Sequence, residues 1–345
     1  MREAVVLVGG QGTRLRPLTL TTPKPLLPVA GVPFLTHQLA ALRRAGVDHV
    51  VLATSYRAEV FSETFGDGAA LGLELTYLTE DEPLGTGGAI RHASQGLRSA
   101  AADPVVVLNG DVLSGHDIAG QVAFHERTDA DVTLHLVEVA DARAYGCVPS
   151  DEDGRVTAFL EKMEHPVTRW INAGAYVFDR AVIDQIPAGR VVSVERETFP
   201  GLLAAGGEVR AWRESAYWID VGTPEALVRC SADVVRGIAP TAAERQRPGE
   251  AWYAEATRPP ADAVVDGGSS VGPGAVVGAG AVVHGSILMA GAAVGAGATV
   301  RHSVVGREAR VGDGAALDGA VVADGAVVAA GVTVPTGARV EGQQP

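Results

Sequence analysis

Lysine is nearly missing from this chain. Of the 28 basic residues among its 345, only two are lysines, Lys24 and Lys162, and the others are arginines. Cysteine is as scarce: Cys147 and Cys230 cannot build a disulfide framework, and no Cys/His cluster has zinc-site spacing. A net charge of −13 with no basic run argues against nucleic acid as the main partner. No apolar stretch reaches the ~18 residues that a membrane span requires, and the first residues pass directly into a strand pattern with no secretory leader. The absences together lead to the expectation of a soluble, cytoplasmic protein with no membrane and no nucleic-acid partner. The length leaves room for two domains, each with its own core.

What is present begins with Val5 to Gly31. An apolar, β-branched run, Ala4-Val5-Val6-Leu7-Val8, reads as a buried strand. It breaks on Gly9-Gly10-Gln11-Gly12, where missing side chains let backbone N–H groups approach a phosphate. Thr13, Arg14 and Arg16 follow, and Lys24 sits between two prolines. A glycine loop after a strand, backed by fixed cations, suits a triphosphate. It is not a Walker loop, which needs Gly-Lys-Ser/Thr, and it lacks the third glycine of a dinucleotide fold.

Farther on, Phe34 to Ala45 reads as a helix ended by Gly46, with His37 as a packing residue. His49 to Ala53 and Leu73 to Leu78 read as strands, so the pattern is α/β with a mostly parallel sheet. Ligands of such sheets bind beyond the carboxyl ends of the strands. Three further segments lie where that rule would place a site. Glu80-Asp81-Glu82-Pro83-Leu84-Gly85-Thr86-Gly87-Gly88 offers glycines beside which a flat ligand could pass. Val105 to Leu108 delivers Asn109-Gly110-Asp111, and Tyr217-Trp218-Ile219 delivers Asp220; a carboxylate at a strand end is a natural Mg²⁺ ligand beside a nucleotide.

Val8-Gly9-Gly10-Gln11-Gly12-Thr13-Arg14-Leu15, with Pro23-Lys24-Pro25 behind it, resembles the phosphate motif of sugar-nucleotide pyrophosphorylases. The resemblance extends to Tyr145-Gly146-Cys147-Val148, Phe159-Leu160-Glu161-Lys162 and Ile171-Asn172-Ala173-Gly174, in the family's order. It covers almost the whole chain, and both lysines fall inside its motifs. The resemblance implies a Mg²⁺-dependent in-line displacement in which a sugar phosphate attacks the α-phosphorus of a nucleotide and pyrophosphate leaves. It implies that Val8, Gly9, Gly10, Gly12, Thr13, Pro83, Gly85, Thr86 and Gly110 line the nucleotide. Arg14 is expected on the β- and γ-phosphates, Lys24 on the phosphates around the reacting centre, and Asp111 and Asp220 on the metal. Tyr145, Gly146, Glu161 and Asn172 are expected on the sugar and Lys162 on its phosphate. Met163 stands where the family often has proline, which touches the local turn and not the charge.

Within the family the segment around Glu80 holds the base. A carboxylate only accepts hydrogen bonds, which suits the paired N1–H and N2–H₂ donors of guanine. The carboxylate thus points to GTP, and the resemblance implies mannose 1-phosphate as the second substrate, giving GDP-mannose. Two alternatives stand beside that reading: a glucose-1-phosphate nucleotidyltransferase using another base, and a non-catalytic regulatory paralogue that binds sugar nucleotides. Such paralogues typically lose the phosphate loop or the metal carboxylates, and here both are present.

From Val265 the chain becomes Gly, Ala and Val. Apolar residues recur at Val271, Val277, Val283, Leu288, Val294, Val300, Val305, Val311, Leu317, Val322, Val328 and Val334, in steps of 6, 6 and 5. A 17-residue period predicts three-sided coils with one short corner and resembles the hexapeptide repeats of left-handed parallel β-helices. His284 and His302 lie in the repeats without the neighbours that acyl transfer would need, so a scaffold and homo-oligomer role is expected. The expected architecture is a Rossmann-like nucleotidyltransferase domain over residues 1–238, a linker over 239–263 and a left-handed β-helix over 264–345.

Overall fold

The structure, a computed structural model, describes residues 2–55, 57–241, 248–255 and 257–344. Residues 242–247 and 256 of the expected linker, and the final residue of the expected β-helix, lie outside the described residues. The chain divides into two compact units. One joins residues 2–10 to 38–218; the other joins residues 11–37 to everything from 219 onward. In this division the segment after Gly10 groups with the carboxyl-terminal part of the chain.

In chain order the principal elements are β1 (Arg2–Leu7), α1 (Phe34–Arg44), β2 (Val47–Thr54), α2 (Ala58–Phe65), β3 (Glu74–Thr79), α3 (Gly85–Ala93) and β4 (Pro104–Asn109). There follow α4 (Ile118–Thr128), β5 (Val132–Glu138), β6 (Trp170–Asp179), β7 (Val209–Arg213) and α5 (Pro224–Val235). In the first unit β3, β2, β1 and β4 are adjacent and parallel, as the alternation of strand and helix patterns predicts. The sheet then reverses: β6 runs antiparallel to both β4 and β5, and β7 lies parallel to β5. Val5, Val51, Val107, Leu134, Tyr176 and Phe178 are buried together in its core. Strands whose side chains are buried on both faces need the continuous apolar runs seen in β1 and β4.

The second unit contains a three-sided stack of parallel strands, the left-handed β-helix expected from the period. One face stacks Ser269–Val271, Ile287–Leu288, Val304–Val305, Val321–Val322 and Arg339–Val340. All twelve residues of the apolar repeat are buried, none more than 6% exposed. The first rung of this face, Ala251–Tyr253, forms inside the stretch expected to be linker, pairing with Ser269–Val271. It is the end rung, with a neighbour on one side only.

The short corner is closed by serine. The Ser286 amide donates to Ser269 Oγ at 3.0 Å, the Ser303 amide to Ser286 Oγ at 3.1 Å, and the Ala320 amide to Ser303 Oγ at 2.9 Å. The five-residue step leaves a backbone N–H facing inward at each corner, and the hydroxyl one coil below satisfies it. His284 and His302 line the adjoining ridge, paired with Asp266 at 2.6 Å and Asp318 at 3.1 Å. In the last coil Val322 pairs with Val340, one residue beyond the period.

Candidate active site

The first unit contributes the carboxyl ends of its four parallel strands. The amide of Val8 donates to the carbonyl of Ala53 at 2.9 Å, and that of Gly110 to the carbonyl of Leu7 at 2.9 Å. Glu80 is anchored by its own amide on Thr54, also at 2.9 Å. The strand ends are therefore tied side by side before any ligand arrives. Gly110 has no room for a larger residue: a Cβ there would lie 2.4 Å from the Leu7 carbonyl oxygen. Gly9 is fixed by the Ser55 hydroxyl, which donates to its carbonyl. A Cβ on Gly10, by contrast, would meet nothing within 4 Å among the described residues, so open space adjoins this backbone.

Glu80 is half-buried. One carboxylate oxygen accepts from the Leu84 amide at 3.5 Å, whereas Oε1 is buried with no hydrogen-bond partner among the described residues. Burial holds the carboxyl above its ordinary 4.5, against the pull of the Leu84 amide. A buried acceptor with no partner is costly unless something fills it.

The glycines that follow are closely packed. A Cβ on Gly85 would lie 2.6 Å from the Val192 carbonyl oxygen, and one on Gly87 would lie 2.8 Å from the Val192 side chain. Gly85 is also left-handed, with φ +70°. The amide of Gly87 donates to Val192 at 2.8 Å. Their smallness admits the chain around Val192 against the start of α3. The Thr86 hydroxyl is engaged there too, donating to Glu195 at 2.9 Å and accepting from the Val194 amide at 3.0 Å. Pro83 is exposed just before this turn.

The residues expected on the sugar also gather in the first unit. Gly146–Cys147 pairs antiparallel with Leu160–Glu161, placing Gly146 opposite Glu161. A Cβ on Gly146 would come within 3.0 Å of the Glu161 carboxylate. Lys162 is 3.8 Å from Glu161 and projects into solvent. Its backbone is left-handed, φ +46°, an uncommon state for a non-glycine residue, and its amide donates to the Tyr145 carbonyl at 3.2 Å. The Tyr145 ring stands edge-on to Trp218 at 5.6 Å, and the Trp218 indole donates to the Ala173 carbonyl at 2.9 Å. Asn172 donates to the Tyr176 hydroxyl at 2.8 Å and accepts from the Gly174 amide at 3.1 Å. That leaves one N–H and one lone pair for a ligand. Tyr176, which the sequence reading passed over, is fully buried, and burial pushes its phenol upward. Its position four residues after Asn172 was the available signal.

The second unit holds the cationic part. Its segment 11–37 opens with Gly12 in a left-handed conformation, φ +59°, where a Cβ would lie 3.0 Å from Thr19 and 3.1 Å from Lys24. The Thr19 hydroxyl donates to the Gly12 carbonyl at 2.9 Å. Tight turns at Thr13–Leu15, Leu18–Leu20 and Lys24–Leu26 follow, with Leu15 and Leu18 buried beneath them. Lys24 Nζ is 4.0 Å from Asp220 and mostly buried. The Arg14 guanidinium lies against the Gly222 backbone, so close that a Cβ on Gly222 would be 2.6 Å from Nη2. Arg14 and Thr13 are otherwise exposed. Gly222 is a further residue that the sequence reading did not mark.

No group of three or more His, Cys, Asp or Glu side chains among the described residues could hold a metal by itself. The carboxylates expected to bind one are Asp111, two residues after β4, and Asp220, at the end of the strand Trp218–Asp220. Mg²⁺ typically takes one or two carboxylates and completes its shell with substrate phosphate and water, so a sparse donor set fits that ion. No helix among the described residues is long and apolar enough to cross a membrane.

Comparison with known proteins bears on both parts of the chain. Residues 3–237 match the family model described as nucleotidyl transferase, and residues 252–343 match the GMPPB C-terminal domain. A mannose-1-phosphate guanylyltransferase of Mycobacterium tuberculosis is 56% identical over 271 residues, 78% of this chain and 75% of that protein. Mannose-1-phosphate guanylyltransferase 1 of Arabidopsis thaliana is 40% identical over 228 residues, 66% of this chain and 63% of its own length. Among solved structures, HddC from Yersinia pseudotuberculosis, complexed with GMP-PN, is 30% identical with a TM-score of 0.58, covering 68% of this chain and 100% of that one.

Proposed function

The chain belongs to the nucleotidyl transferase family, and we infer that it joins GTP to mannose 1-phosphate, giving GDP-mannose and pyrophosphate. The observation that carries this reading is the 56% identity, over three quarters of both chains, to a mycobacterial protein of that name. Glu80 supports the choice of base: a buried, unpartnered carboxylate oxygen is the complement of guanine's N1–H and N2–H₂ donors.

The reaction needs positioning and charge neutralisation more than acid–base groups. We assign Arg14 to the β- and γ-phosphates and the leaving pyrophosphate, and Lys24 to the phosphates around the reacting centre. Lys162 neutralises the sugar phosphate, and Glu161 and Asn172 accept from and donate to sugar hydroxyls. Asp111 and Asp220 are assigned to Mg²⁺, which, when bound, supplies charge neutralisation at the triphosphate. The oxygen of mannose 1-phosphate attacks the α-phosphorus as the bond to pyrophosphate breaks, with no covalent enzyme intermediate. A cytoplasmic location and homo-oligomers formed through the β-helix complete the proposal; the exposed end faces of a coil stack support the latter.

The test is pyrophosphate release over four nucleoside triphosphates against mannose, glucose and N-acetylglucosamine 1-phosphates, with and without Mg²⁺. The expected maximum is GTP with mannose 1-phosphate. A maximum elsewhere keeps the reaction class and removes the substrates, and silence across the grid brings the non-catalytic reading forward.

A further inference from the structure

Within the second unit, three side chains of the β-helix grip the segment that carries Arg14 and Lys24. Arg339 donates to the backbone carbonyl of Arg14 at 2.7 Å and, through its other terminal nitrogen, to that of Arg16. Asp324 accepts from the Thr21 hydroxyl at 2.7 Å. Arg307 donates to the hydroxyl of Thr22, and its own amide donates to Asp324 at 2.8 Å. The segment is thus held at residues 14, 16, 21 and 22 from coils more than 280 residues away.

We propose that Arg339, Asp324 and Arg307 are positioning residues that hold the phosphate loop in its working geometry, a role resting on the guanylyltransferase reading above. The chemistry suits that role. Arg339 binds main-chain carbonyls, so it fixes the backbone at Arg14 while leaving the Arg14 guanidinium to the triphosphate. An arginine fork presents two well-separated donors in a fixed plane, which a lysine's compact ammonium does not. Thr21 and Thr22 lie three and two residues before Lys24, and Asp324 and Arg307 hold them as one connected pair. Inside the loop the backbone is held by short-range bonds, such as Leu15 to Gly12 at 2.9 Å and Leu20 to Pro17 at 3.1 Å. Such turns leave the loop's reach undetermined; an external brace sets it.

The experiment measures steady-state constants and loop amide exchange for full-length Arg339→Ala, Arg339→Lys and Asp324→Ala, with Arg310→Ala, an exposed arginine of another coil face, as control. Arg339→Ala is expected to lower kcat/KM for GTP about tenfold, since small displacements of reacting groups are expensive. KM for mannose 1-phosphate should stay put, Arg339→Lys should recover part of the loss, and Arg310→Ala should match wild type. Amide exchange over residues 13–24 should quicken in Arg339→Ala and Asp324→Ala. Unchanged constants, or an equal loss for both substrates that follows thermal stability, would overturn the proposal. If wild type itself turned over no GTP with mannose 1-phosphate, the functional reading would fall. Amide exchange would then decide the brace alone, unchanged protection counting against it.

Discussion

The β-helix and the strand-end cradle are built from the same small residues and use them for opposite purposes. In the coils, glycine, alanine and valine repeat because every rung solves the same packing problem, and the answer is stability. Beyond the strands, glycines and charged residues follow no period, because each answers a different local demand. A substitution in the coils should therefore lower stability and spare turnover, and one in the cradle should do the reverse. The brace from Arg339, Asp324 and Arg307 is the exception, since it ties the coils to the segment that carries Arg14 and Lys24.

The largest expected effect falls in the coils. Leu288 is 1% exposed and stacks between Val271 and Val305. Leu288→Ala should cost about 2–5 kcal/mol through lost transfer energy and the cavity left behind. Thermal unfolding followed by calorimetry should show the drop, while kcat at 25 °C, measured below the transition, should hold within about twofold. A large loss of kcat with little change in stability would break the comparison at its stronger end.

Next comes the serine corner. Ser303→Ala leaves the Ala320 amide buried without its acceptor, a loss of about 1–3 kcal/mol. Ser303→Thr keeps the hydroxyl and should lose less, which separates the bond from the volume. This ladder was legible in principle, since Ser269, Ser286 and Ser303 are 17 residues apart. The apolar period drew the reading away from it, because polar residues at corners look like surface until the inward hydrogen bonds are seen.

In the cradle, Lys24→Arg should lower kcat by at least about tenfold, about 1.4 kcal/mol of transition-state stabilisation, with thermal unfolding unchanged. Lys24 is mostly buried, 4.0 Å from Asp220, and packs beside Gly12. A planar guanidinium spreads the charge that the compact ammonium places at one point. Wild-type turnover would remove the argument from lysine scarcity.

The parallel strands, the coil period and the phosphate loop were legible because each depends on residues close in sequence. What was not legible depends on partners far away. Gly85 and Gly87 are small because Val192 passes over them, a contact across more than a hundred residues. Asn172 is oriented by Tyr176, although the strand is irregular between them, which blurs a simple alternation. The grouping of residues 11–37 with the β-helix rests on distant partners such as Ser231, Trp252 and Arg339, and no local pattern announces it.

The smallest effect is the most discriminating, because it tests recognition without disturbing either architecture. Glu80→Gln keeps the shape of the side chain and replaces an acceptor by an amide that both donates and accepts. It should move the ratio of kcat/KM for GTP over UTP downward by about two- to tenfold, with stability nearly unchanged. The acid limb of the pH profile carries the same information with a definite sign. Burial raises the Glu80 carboxyl above its ordinary 4.5, so it takes up a proton earlier than an exposed glutamate as the pH falls. Protonation removes one of the acceptors that guanine's two donors require. KM for GTP should therefore climb as the pH drops from neutral into the range just above 4.5, and that climb should vanish in Glu80→Gln, which has no proton to gain. Bound GTP stabilises the ionised form, so kcat at saturating GTP should lose its acid limb at a lower pH than kcat/KM. A wild-type KM for GTP that stayed flat over that range, or a variant that kept the climb, would take Glu80 off the base and leave its buried oxygen to be explained by the fold alone.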